Sequence, residues 1–555
     1  MSLAPKQSSE SDIGARGWLH REWMAYVLLV ITFLPLTIPN CWAGGWRCSL
    51  WQLALWLALF GNRFRAVLIL VPFYLLTPPL VFAATHYGPP NLDFLSGVCI
   101  TGGDSVSIAA ERRAYLKSIP GAIFWLYLLL LVPLLAAWHF RRAARKRTPG
   151  MARVILLLVC CLVMAHWIYR ARHLHHTVFR DVVGKRIGSY QPLGLPVSFA
   201  LMMLDADGAH QAIAAREHFD WKASTSSKLD NVVFVIGESA RADHFSLNGY
   251  PRPTTPALSG VSNLISFSKV VSLAPNTILS WPFLLTLKEP EDSALWPHTK
   301  SFISAFQEAG YSTRFVSFYM NQNYTVRDPL ALIAFDAQAV IRGFTYTNQQ
   351  RRSDLDMLPT IQSLVARKQP KLIVVATRGT HPGFEASCPL EFNVFQPSNF
   401  TEKETPETFR NGYDNTLLVT DRLLSSIIKM LRNSRSSLFF VSDHGLAVYD
   451  HDSGLREQIF VQAEYRPACV VWASDQFLAD DGNRLLFERG WQNRSTMVTS
   501  DYMLHSLFDL CGLKSPWQNP AKSLFNAALK PPKTCRVEDF YGNWHDLSTV
   551  PIPID

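Results

Sequence analysis

Residues 231–256, NVVFVIGESARADHFSLNGYPRPTTP, predict the fold of the second half of the chain. The run Asn231–Ile236 is short, apolar and rich in β-branched and aromatic residues, which is typical of a strand covered on both faces. Gly237 ends the run, and Glu238 follows it. Because α/β folds place ligands and metals at the carboxyl ends of parallel strands, Glu238 is predicted to lie at such a site. A strand followed by an acid-capped loop is the structural alternative.

A second stretch, SLFFVSDHG at 437–445, has the same organisation. Its apolar run leads to Asp443 and His444, and Gly445 permits a tight turn. Carboxylates and an imidazole suit zinc, which binds such donors at about 2.0–2.2 Å. Alone, an Asp-His pair after a strand also fits a turn with an ordinary buried histidine. Together with Glu238, the pair predicts a zinc site.

Apolar runs alternate with helical patterns from residue 231 onward, which predicts a mostly parallel sheet with helices on both faces. The predicted strands are 231–236, 313–317, 371–376, 437–442 and 468–473. The predicted helices include 299–310, 353–368, 411–432 and 498–511.

The first third of the chain is apolar enough to predict a membrane domain. The mean hydropathy of the 555 residues is +0.07, and the chain is too long for a single core. Five apolar segments are each about long enough to cross a hydrocarbon layer of ~30 Å as helices, at 23–39, 46–62, 66–84, 121–140 and 152–169. No small-residue cleavage site follows the first, so an anchor is expected instead of a signal peptide. We therefore predict a cytoplasmic N-terminus at 1–22 and five transmembrane helices within 23–169.

Basic residues set the predicted orientation of these segments. They are concentrated in the N-terminus and in the loops 62–65 and 141–150, whereas 40–45 is almost uncharged and 85–120 is mixed. Everything after residue 169 is therefore expected to lie outside the cytoplasmic membrane.

Residues 170–226 are predicted to link the membrane domain to a globular domain at 227–555. They combine basic residues with the apolar run Leu193–Leu204, which suits helices lying on the membrane surface. A solvated linker with one buried helix is the alternative. Arginines of the cytoplasmic loops supply much of the net charge of +9, which also suits a protein facing anionic lipid. Nothing in the sequence suggests a nucleic-acid partner.

The stretch from Glu238 to Pro256 closely resembles the signature of the phosphoethanolamine transferases, membrane-anchored relatives of the alkaline phosphatases and sulfatases. The tail GYPRPTTP at 249–256 separates that family from other proteins of the sulfatase fold. The resemblance runs from about residue 20 to the C-terminus. It implies an inner-membrane protein with a periplasmic sulfatase-like α/β domain, in which Glu238, Asp443 and His444 hold zinc.

The resemblance also implies a threonine nucleophile whose hydroxyl binds the zinc. In the family this residue ends a Ser-Cys-Gly-Thr motif about forty residues after the signature Glu. The matching stretch here is Ala274–Thr277, with the sequence APNT, so Thr277 is the implied nucleophile and a metal ligand. The apolar run Ile278–Leu287 places Thr277 at a predicted helix N-terminus, which favours a phosphate. Ser280 remains an alternative nucleophile, and a plain helix cap is the structural alternative for Thr277.

Histidines complete the implied site. His381, in the TRGTHP stretch after a predicted strand, matches a family histidine thought to contact the phosphoryl group or a second metal. We assign it a catalytic and substrate-binding role, and His451 a substrate-binding one. Another family histidine is replaced here by Tyr465 or Arg466, which puts a second metal site in doubt.

The nine cysteines are unevenly distributed. Cys160 and Cys161 fall in the fifth apolar segment and are expected to stay reduced. In the outer domain oxidation is possible, and Cys511 with Cys535 is the more plausible pair.

The resemblance implies that Thr277 attacks phosphatidylethanolamine, releases diacylglycerol and retains phosphoethanolamine. An envelope acceptor such as lipopolysaccharide then takes the group. Phosphoglycerol transferases share the membrane-plus-sulfatase plan, and a receptor or scaffold that has lost activity is a third possibility. The protein is expected to be a monomer whose other partners are inner-membrane lipids.

Overall fold

A computed structural model describes residues 215–225, 228–290, 296, 298–318, 329–342, 353–450, 460–539 and 543–552. These residues belong to one compact unit, Ala209–Asp555. The predicted transmembrane helices and the linker up to residue 214 lie outside the described residues. No helix within the described ranges is both long and apolar enough to cross a membrane.

The described chain alternates strands and helices. The strands are Ser224–Thr225 (β1), Asn231–Gly237 (β2), Leu264–Phe267 (β3), Val270–Val271 (β4), Ser312–Ser317 (β5), Ala339–Arg342 (β6), Lys371–Ala376 (β7), Ser436–Ser442 (β8), Cys469–Ala473 (β9), Val498–Thr499 (β10), Leu513–Lys514 (β11), Arg536–Glu538 (β12) and Trp544–Asp546 (β13). The α-helices are Pro256–Ser259 (α1), Thr277–Leu285 (α2), Phe302–Glu308 (α3), Pro329–Ala334 (α4), Leu358–Val365 (α5), Pro406–Leu431 (α6), Asp475–Leu478 (α7), Asp481–Gln492 (α8) and Tyr502–Leu510 (α9).

Seven strands form the central sheet, in the order β3-β9-β8-β2-β7-β5-β6. The five strands from β8 to β6 are parallel, and β9 and β3 continue the sheet in antiparallel pairing. Gly237 pairs with Ser442, and Ile236 with Ala376. This register makes the residues that follow β2, β7 and β8 leave the sheet at one edge.

Alternate residues of each central strand enter two apolar layers. In β2, Phe234 belongs to the layer that contains side chains of α2, α3 and α9, whereas Val235 belongs to the layer with α5 and α6. Every residue of β2 is buried, as expected for a parallel strand covered on both faces. The predicted α/β domain with helices on both faces of a mostly parallel sheet is therefore confirmed.

Two carboxylates of α6 hold the end of the signature stretch. Asp414, which is fully buried, lies 2.9 Å from His244 Nδ1 and accepts hydrogen bonds from the Tyr250 hydroxyl and from Arg252. Two turns further along the same face of α6, Asp421 accepts hydrogen bonds from the N–H groups of Ala257 and Leu258 in α1. These hydrogen bonds join the segment that follows β2 to α6, which makes His244 structural.

All five predicted strands are present, but several helix bounds differ from the prediction. The stretch 353–368 begins with a 3-10 turn, Asp354–Met357, before α5, and 498–511 opens with β10 before α9. Helix α6 begins five residues early, because Thr405 caps it by accepting from Thr408 N and Pro406 occupies its first position. Its polar first turn does not show the apolar period on which the prediction rested.

The expected Cys511–Cys535 disulfide is wrong, because both thiols are free. Cys511 lies in the large apolar layer at the end of α9, whereas Cys535 packs in a separate cluster with Tyr465 and Val537. Burial raises the pKa of the Cys511 thiol well above its usual range.

Candidate active site

Three ligand-type side chains meet at the carboxyl edge of the sheet. Glu238 directly follows β2, and Asp443 and His444 directly follow β8. One ligand atom of each lies within 4.8 Å of the others, and His444 Nε2 is 3.5 Å from both Glu238 Oε1 and Asp443 Oδ2. All three residues are buried. Within the described part of the chain, this is the one such group of His, Cys, Asp and Glu side chains.

The two oxygens of Asp443 have different surroundings. Oδ1 accepts hydrogen bonds from the backbone N–H groups of Ser239 and His444, at 3.1 and 2.8 Å. Oδ2 is buried and has no hydrogen-bond partner. Burial, followed by the nearby Glu238 carboxylate, raises the pKa of Asp443 to about 6. A bare, buried carboxylate oxygen beside a second carboxylate fits a bound cation, and this donor set suits zinc.

His444 turns its second ring nitrogen, Nε2, toward the carboxylates of Glu238 and Asp443. Its Nδ1 lies 2.7 Å from the Gly445 carbonyl oxygen, which can only accept a hydrogen bond. Nδ1 therefore carries the proton in the neutral ring, and the lone pair of Nε2 faces Glu238 and Asp443. A backbone acceptor behind a metal-binding histidine fixes the tautomer in this way.

The Thr277 hydroxyl joins the group from α2. Thr277 is the first residue of that helix, and its Oγ1 donates to Glu238 Oε2 at 3.0 Å and lies 3.4 Å from His444 Nε2. Ser280 is fully buried, and its hydroxyl lies 3.4 Å from the Thr277 carbonyl oxygen. The Ser239 hydroxyl donates to Glu238 Oε1 at 2.7 Å, so it supports the ligand. Of the three residues that carry these hydroxyl groups, Thr277 is half-exposed, whereas Ser239 and Ser280 are buried.

His381 lies on the loop that follows β7, and this loop is bonded to the backbone of Glu238. Thr380 donates to the Glu238 carbonyl oxygen from both its N–H and its hydroxyl, at 3.0 and 2.8 Å. Gly379 has a φ of +50°, and a Cβ there would lie 2.8 Å from the same oxygen, so a side chain would not fit. His381 is half-buried, next to Thr380, and lies outside the three-residue cluster. His451 lies outside the described residues.

Neither residue at the replaced family histidine supplies a metal ligand. Tyr465 is fully buried, and its hydroxyl donates to the Glu538 carbonyl oxygen at 3.1 Å. Arg466 is cationic, lies 3.7 Å from Asp243 and donates to Gln462.

Arg241 is a residue whose role the sequence did not indicate. It donates to both oxygens of Asp243, to Asp450 at 2.6 Å and to the Leu446 carbonyl oxygen. Because Leu446 and Asp450 follow His444 in the chain, Arg241 braces the segment that leaves β8 after Asp443 and His444. The one sequence feature that could have indicated this role is the presence of an arginine within a largely apolar signature stretch.

Tyr413 of α6 is a second such residue. Its hydroxyl donates to the Ser239 carbonyl oxygen and accepts from Arg241 N, both at 2.9 Å. Ser239 has a φ of 58°, a conformation uncommon for a residue with a side chain. Tyr413 thus fixes the strained turn that carries Glu238.

Comparisons with known proteins agree with this geometry. The sequence model of the sulfatase family matches residues 230–513, just over half of the chain. The chain is 28% identical over 333 residues to the phosphoethanolamine transferase EptC of Escherichia coli (strain K12), a match that covers 56% of each protein. It is 24% identical over 463 residues to the Kdo(2)-lipid A phosphoethanolamine 7''-transferase of the same strain, covering 78% of this chain and 79% of the relative.

The fold also matches a solved structure. The C-terminal periplasmic domain of EptC from Escherichia coli, in complex with Zn, superposes with a TM-score of 0.52 at 24% identity. That likeness covers 59% of this chain and 96% of the solved domain. In the match to full-length EptC, the chain spans just over half of the relative's own length. The chain belongs to the sulfatase family, and its sequence relatives include phosphoethanolamine transferases.

Proposed function

We propose that this chain is a zinc-dependent phosphoethanolamine transferase of the bacterial inner membrane. It moves phosphoethanolamine from phosphatidylethanolamine to an envelope acceptor, with its catalytic domain in the periplasm. The observation that carries the proposal is the Thr277 hydroxyl, 3.0 Å from Glu238 in a buried cluster that holds the unpartnered Asp443 Oδ2. The relatives named for phosphoethanolamine transfer support the group transferred.

Four donors would hold the zinc: Glu238, Asp443, His444 and the Thr277 hydroxyl. When bound there, zinc would lower the pKa of the hydroxyl and screen the negative charge of the phosphate. The Gly445 carbonyl oxygen keeps His444 in the tautomer that such binding needs.

The first half-reaction forms a bond from Thr277 Oγ1 to phosphorus and breaks the bond from phosphorus to the diacylglycerol oxygen. The proton that Thr277 loses already faces Glu238 Oε2. The departing diacylglycerol oxygen takes up a proton, for which His381, on the loop bonded to Glu238, is our proposed donor. In the second half-reaction an acceptor hydroxyl oxygen attacks the same phosphorus, and the bond from phosphorus to Thr277 Oγ1 breaks. The acceptor hydroxyl gives its proton to His381, which restores the proposed donor, and Thr277 regains its proton from Glu238.

Lipopolysaccharide is our proposed acceptor. A relative that aligns with 78% of this chain is named for transfer to Kdo(2)-lipid A. The five apolar segments of the first third would keep the catalytic domain near both lipids.

Thr277→Ala tests the nucleophile. The variant loses the attacking oxygen and keeps Glu238, Asp443 and His444, so zinc content should largely persist. Release of diacylglycerol from fluorescent phosphatidylethanolamine by the purified full chain should fall at least about 10³-fold. Mass spectrometry of the wild type after incubation should find phosphoethanolamine on the peptide that contains Thr277.

Ser280→Ala is the matched control, because it removes a hydroxyl from the same helix without touching the cluster, and it should retain most activity. Donor turnover by Thr277→Ala, or the label on Ser280, would refute the assignment. Cleavage of phosphatidylglycerol in preference to phosphatidylethanolamine would instead support a phosphoglycerol transferase, and failure to cleave either lipid would support a receptor or scaffold.

A further inference from the structure

Asp354 holds the loop of residues 377–383, which follows β7 and carries His381. Asp354 begins the 3-10 turn that precedes α5, and its two carboxylate oxygens accept from consecutive N–H groups of that loop. Oδ1 accepts from Arg378 N at 3.0 Å, and Oδ2 accepts from Gly379 N at 2.8 Å. One side chain therefore fixes the course of the backbone where it leaves the sheet.

Gly379 joins Asp354 to the backbone of Glu238. A Cβ on Gly379 would lie 2.8 Å from the Glu238 carbonyl oxygen and 3.2 Å from the Glu238 Cβ, so the two backbones are in close contact. The next residue, Thr380, donates to the same carbonyl oxygen from its N–H and its hydroxyl. The loop is thus bonded to Asp354 through two N–H groups and held against Glu238 by Gly379 and Thr380.

The His381 ring takes its orientation from the same loop. His381 N donates to the Arg378 carbonyl oxygen at 3.1 Å, which closes a turn. His381 Nδ1 lies 3.0 Å from the Pro382 carbonyl oxygen, which can only accept a hydrogen bond. Nδ1 therefore carries a proton, and Nε2 is the nitrogen that would give its proton to a substrate. Both hydrogen bonds that place the ring lie in the segment to which Asp354 is bonded.

We infer that Asp354 is a positioning residue for the transfer reaction. Its carboxylate holds the loop so that His381 can protonate the departing diacylglycerol oxygen. The inference rests on the proposed function, in which His381 is that proton donor. Asp354 acts through the backbone of Arg378 and Gly379 and takes no part in the bond changes. A shift of about 1 Å in the position of a catalytic group can lower a rate about 10²-fold, which is the size of the effect expected.

Asp421 of α6 offers a matched control, because it makes the same pair of hydrogen bonds to a segment without His381. Its two oxygens accept from the consecutive N–H groups of Ala257 and Leu258, at 2.9 and 2.8 Å. Burial raises the pKa of the Asp354 and Asp421 carboxyls above the usual range. At either position, asparagine removes a charge that burial disfavours and leaves one N–H group without its acceptor.

Two donors with different leaving groups separate a positioning role from a structural one. Phosphatidylethanolamine must release an alkoxide, which needs a proton, whereas p-nitrophenyl phosphoethanolamine releases nitrophenolate, which is stable as an anion. Measuring the first turnover, with the full chain in excess over the donor, isolates the half-reaction at Thr277. Asp354→Asn should release diacylglycerol about 10²-fold more slowly than wild type. Its nitrophenolate release and its zinc content should stay close to wild type.

The control and the double variant complete the test. Asp421→Asn should retain both activities, even if its melting temperature falls as far as that of Asp354→Asn. His381→Ala should show the same selective loss with the lipid donor, because it removes the proton donor itself. Adding Asp354→Asn to His381→Ala should have little further effect, since Asp354 acts through His381. Asp354→Glu keeps both acceptor oxygens and is one methylene group longer, so it should fold, displace the loop and show the same selective loss.

The outcomes distinguish this inference from the proposed function. Wild-type rates with the lipid donor in both Asp354 variants, or in His381→Ala, would overturn the inference, while loss of activity in Thr277→Ala would still support the nucleophile. Equal losses with the two donors, independent losses in the double variant, or failure of both Asp354 variants to fold would show that Asp354 has a structural role only. If the wild type releases neither diacylglycerol nor nitrophenolate, the proposed function itself is wrong.

Discussion

At the scale of single residues, the turn after β2 contains a buried charge pair next to the cluster of Glu238, Asp443 and His444. Arg241 is almost completely buried, and both Asp243 oxygens accept from it, at 2.8 and 2.9 Å. Burial works against ionisation of Asp243, but the Arg241 guanidinium outweighs burial and lowers the pKa of Asp243 to about 2. A carboxyl whose pKa is lower in the folded state stabilises the fold while it is ionised.

The lowered pKa of Asp243 predicts that the fold loses stability in acid over a defined pH range. The unfolded-state pKa of an aspartate is about 3.9. The contribution of Asp243 should be fully present above about pH 4 and should be lost as the pH falls through 2. Chemical unfolding of the full chain in detergent should show a shallower pH dependence between about pH 4 and 2 for Asp243→Asn than for wild type. Equal slopes for the two proteins would contradict the pairing.

The sequence predicted the residues at the strand ends, but it did not predict the residues that hold them in place. Glu238, Asp443 and His444 could be located because an apolar run followed by a polar residue marks the edge of a sheet. The hydrogen bond from Tyr413 to Ser239 joins residues 174 positions apart and depends on a positive φ. Periodicity and composition carry no information on such a contact.

At the scale of elements, α2 links the active site to the C-terminal segment. Thr277 begins the helix, and just beyond its end Lys288 reaches Glu538 of β12 at 3.4 Å. Both side chains are almost completely buried, and the Lys288 ammonium lies 3.8 Å from the centre of the Phe283 ring. Burial lowers the pKa of Lys288 despite the nearby Glu538 carboxylate. The pair therefore fixes the far end of the helix at a cost in desolvation.

Removing one partner of this pair should be worse than removing both. Lys288→Met leaves Glu538 buried without its counter-ion, and the free energy of unfolding should fall by about 3–5 kcal/mol. The double variant Lys288→Met with Glu538→Leu should recover most of that loss, because it buries no charge. Chemical denaturation of the four proteins of this cycle measures the coupling. Additive effects of the two substitutions would show that the residues do not act as a pair.

Element types were more predictable than element bounds and pairings. The five buried strands were visible as continuous apolar runs, whereas β3 and β6 were not. β6 is half-exposed, and β3 alternates between buried and half-exposed residues, so neither resembles a core strand. The antiparallel direction of β9 depends on the connection from β8 across the active-site edge, which local sequence does not encode.

At the scale of the whole molecule, hydropathy and charge predict where the catalytic domain works. Long apolar segments indicate membrane-spanning helices from composition alone. A chain that crosses a membrane must pair its backbone groups internally, and a long apolar helix does so. The basic loops add the orientation. A donor lipid and a catalytic domain on the outer side of the same membrane would meet without release of the lipid into water.

Topology reporters test this arrangement. A reporter that is active only in the periplasm should be active when fused after residue 226, and one that is active only in the cytoplasm should be silent there. Both results should reverse for a fusion within the basic loop at 141–150. Cytoplasmic activity at residue 226 would overturn the orientation and the access to donor lipid that depends on it.

The hydrogen bonds that Asp414 accepts from Tyr250 and Arg252, and its contact with His244, limit what the signature sequence can show about function. These residues join α6 to the segment that follows β2, and none of them belongs to the cluster of Glu238, Asp443 and His444. A related protein could lose Thr277 and its enzymatic activity and still retain the GYPR tail, because the tail is needed for folding. When genomes are searched with this signature, the tail therefore indicates common ancestry and a common fold, and it does not indicate enzymatic activity. Enzymatic activity has to be inferred from Thr277, Glu238 and the residues next to them.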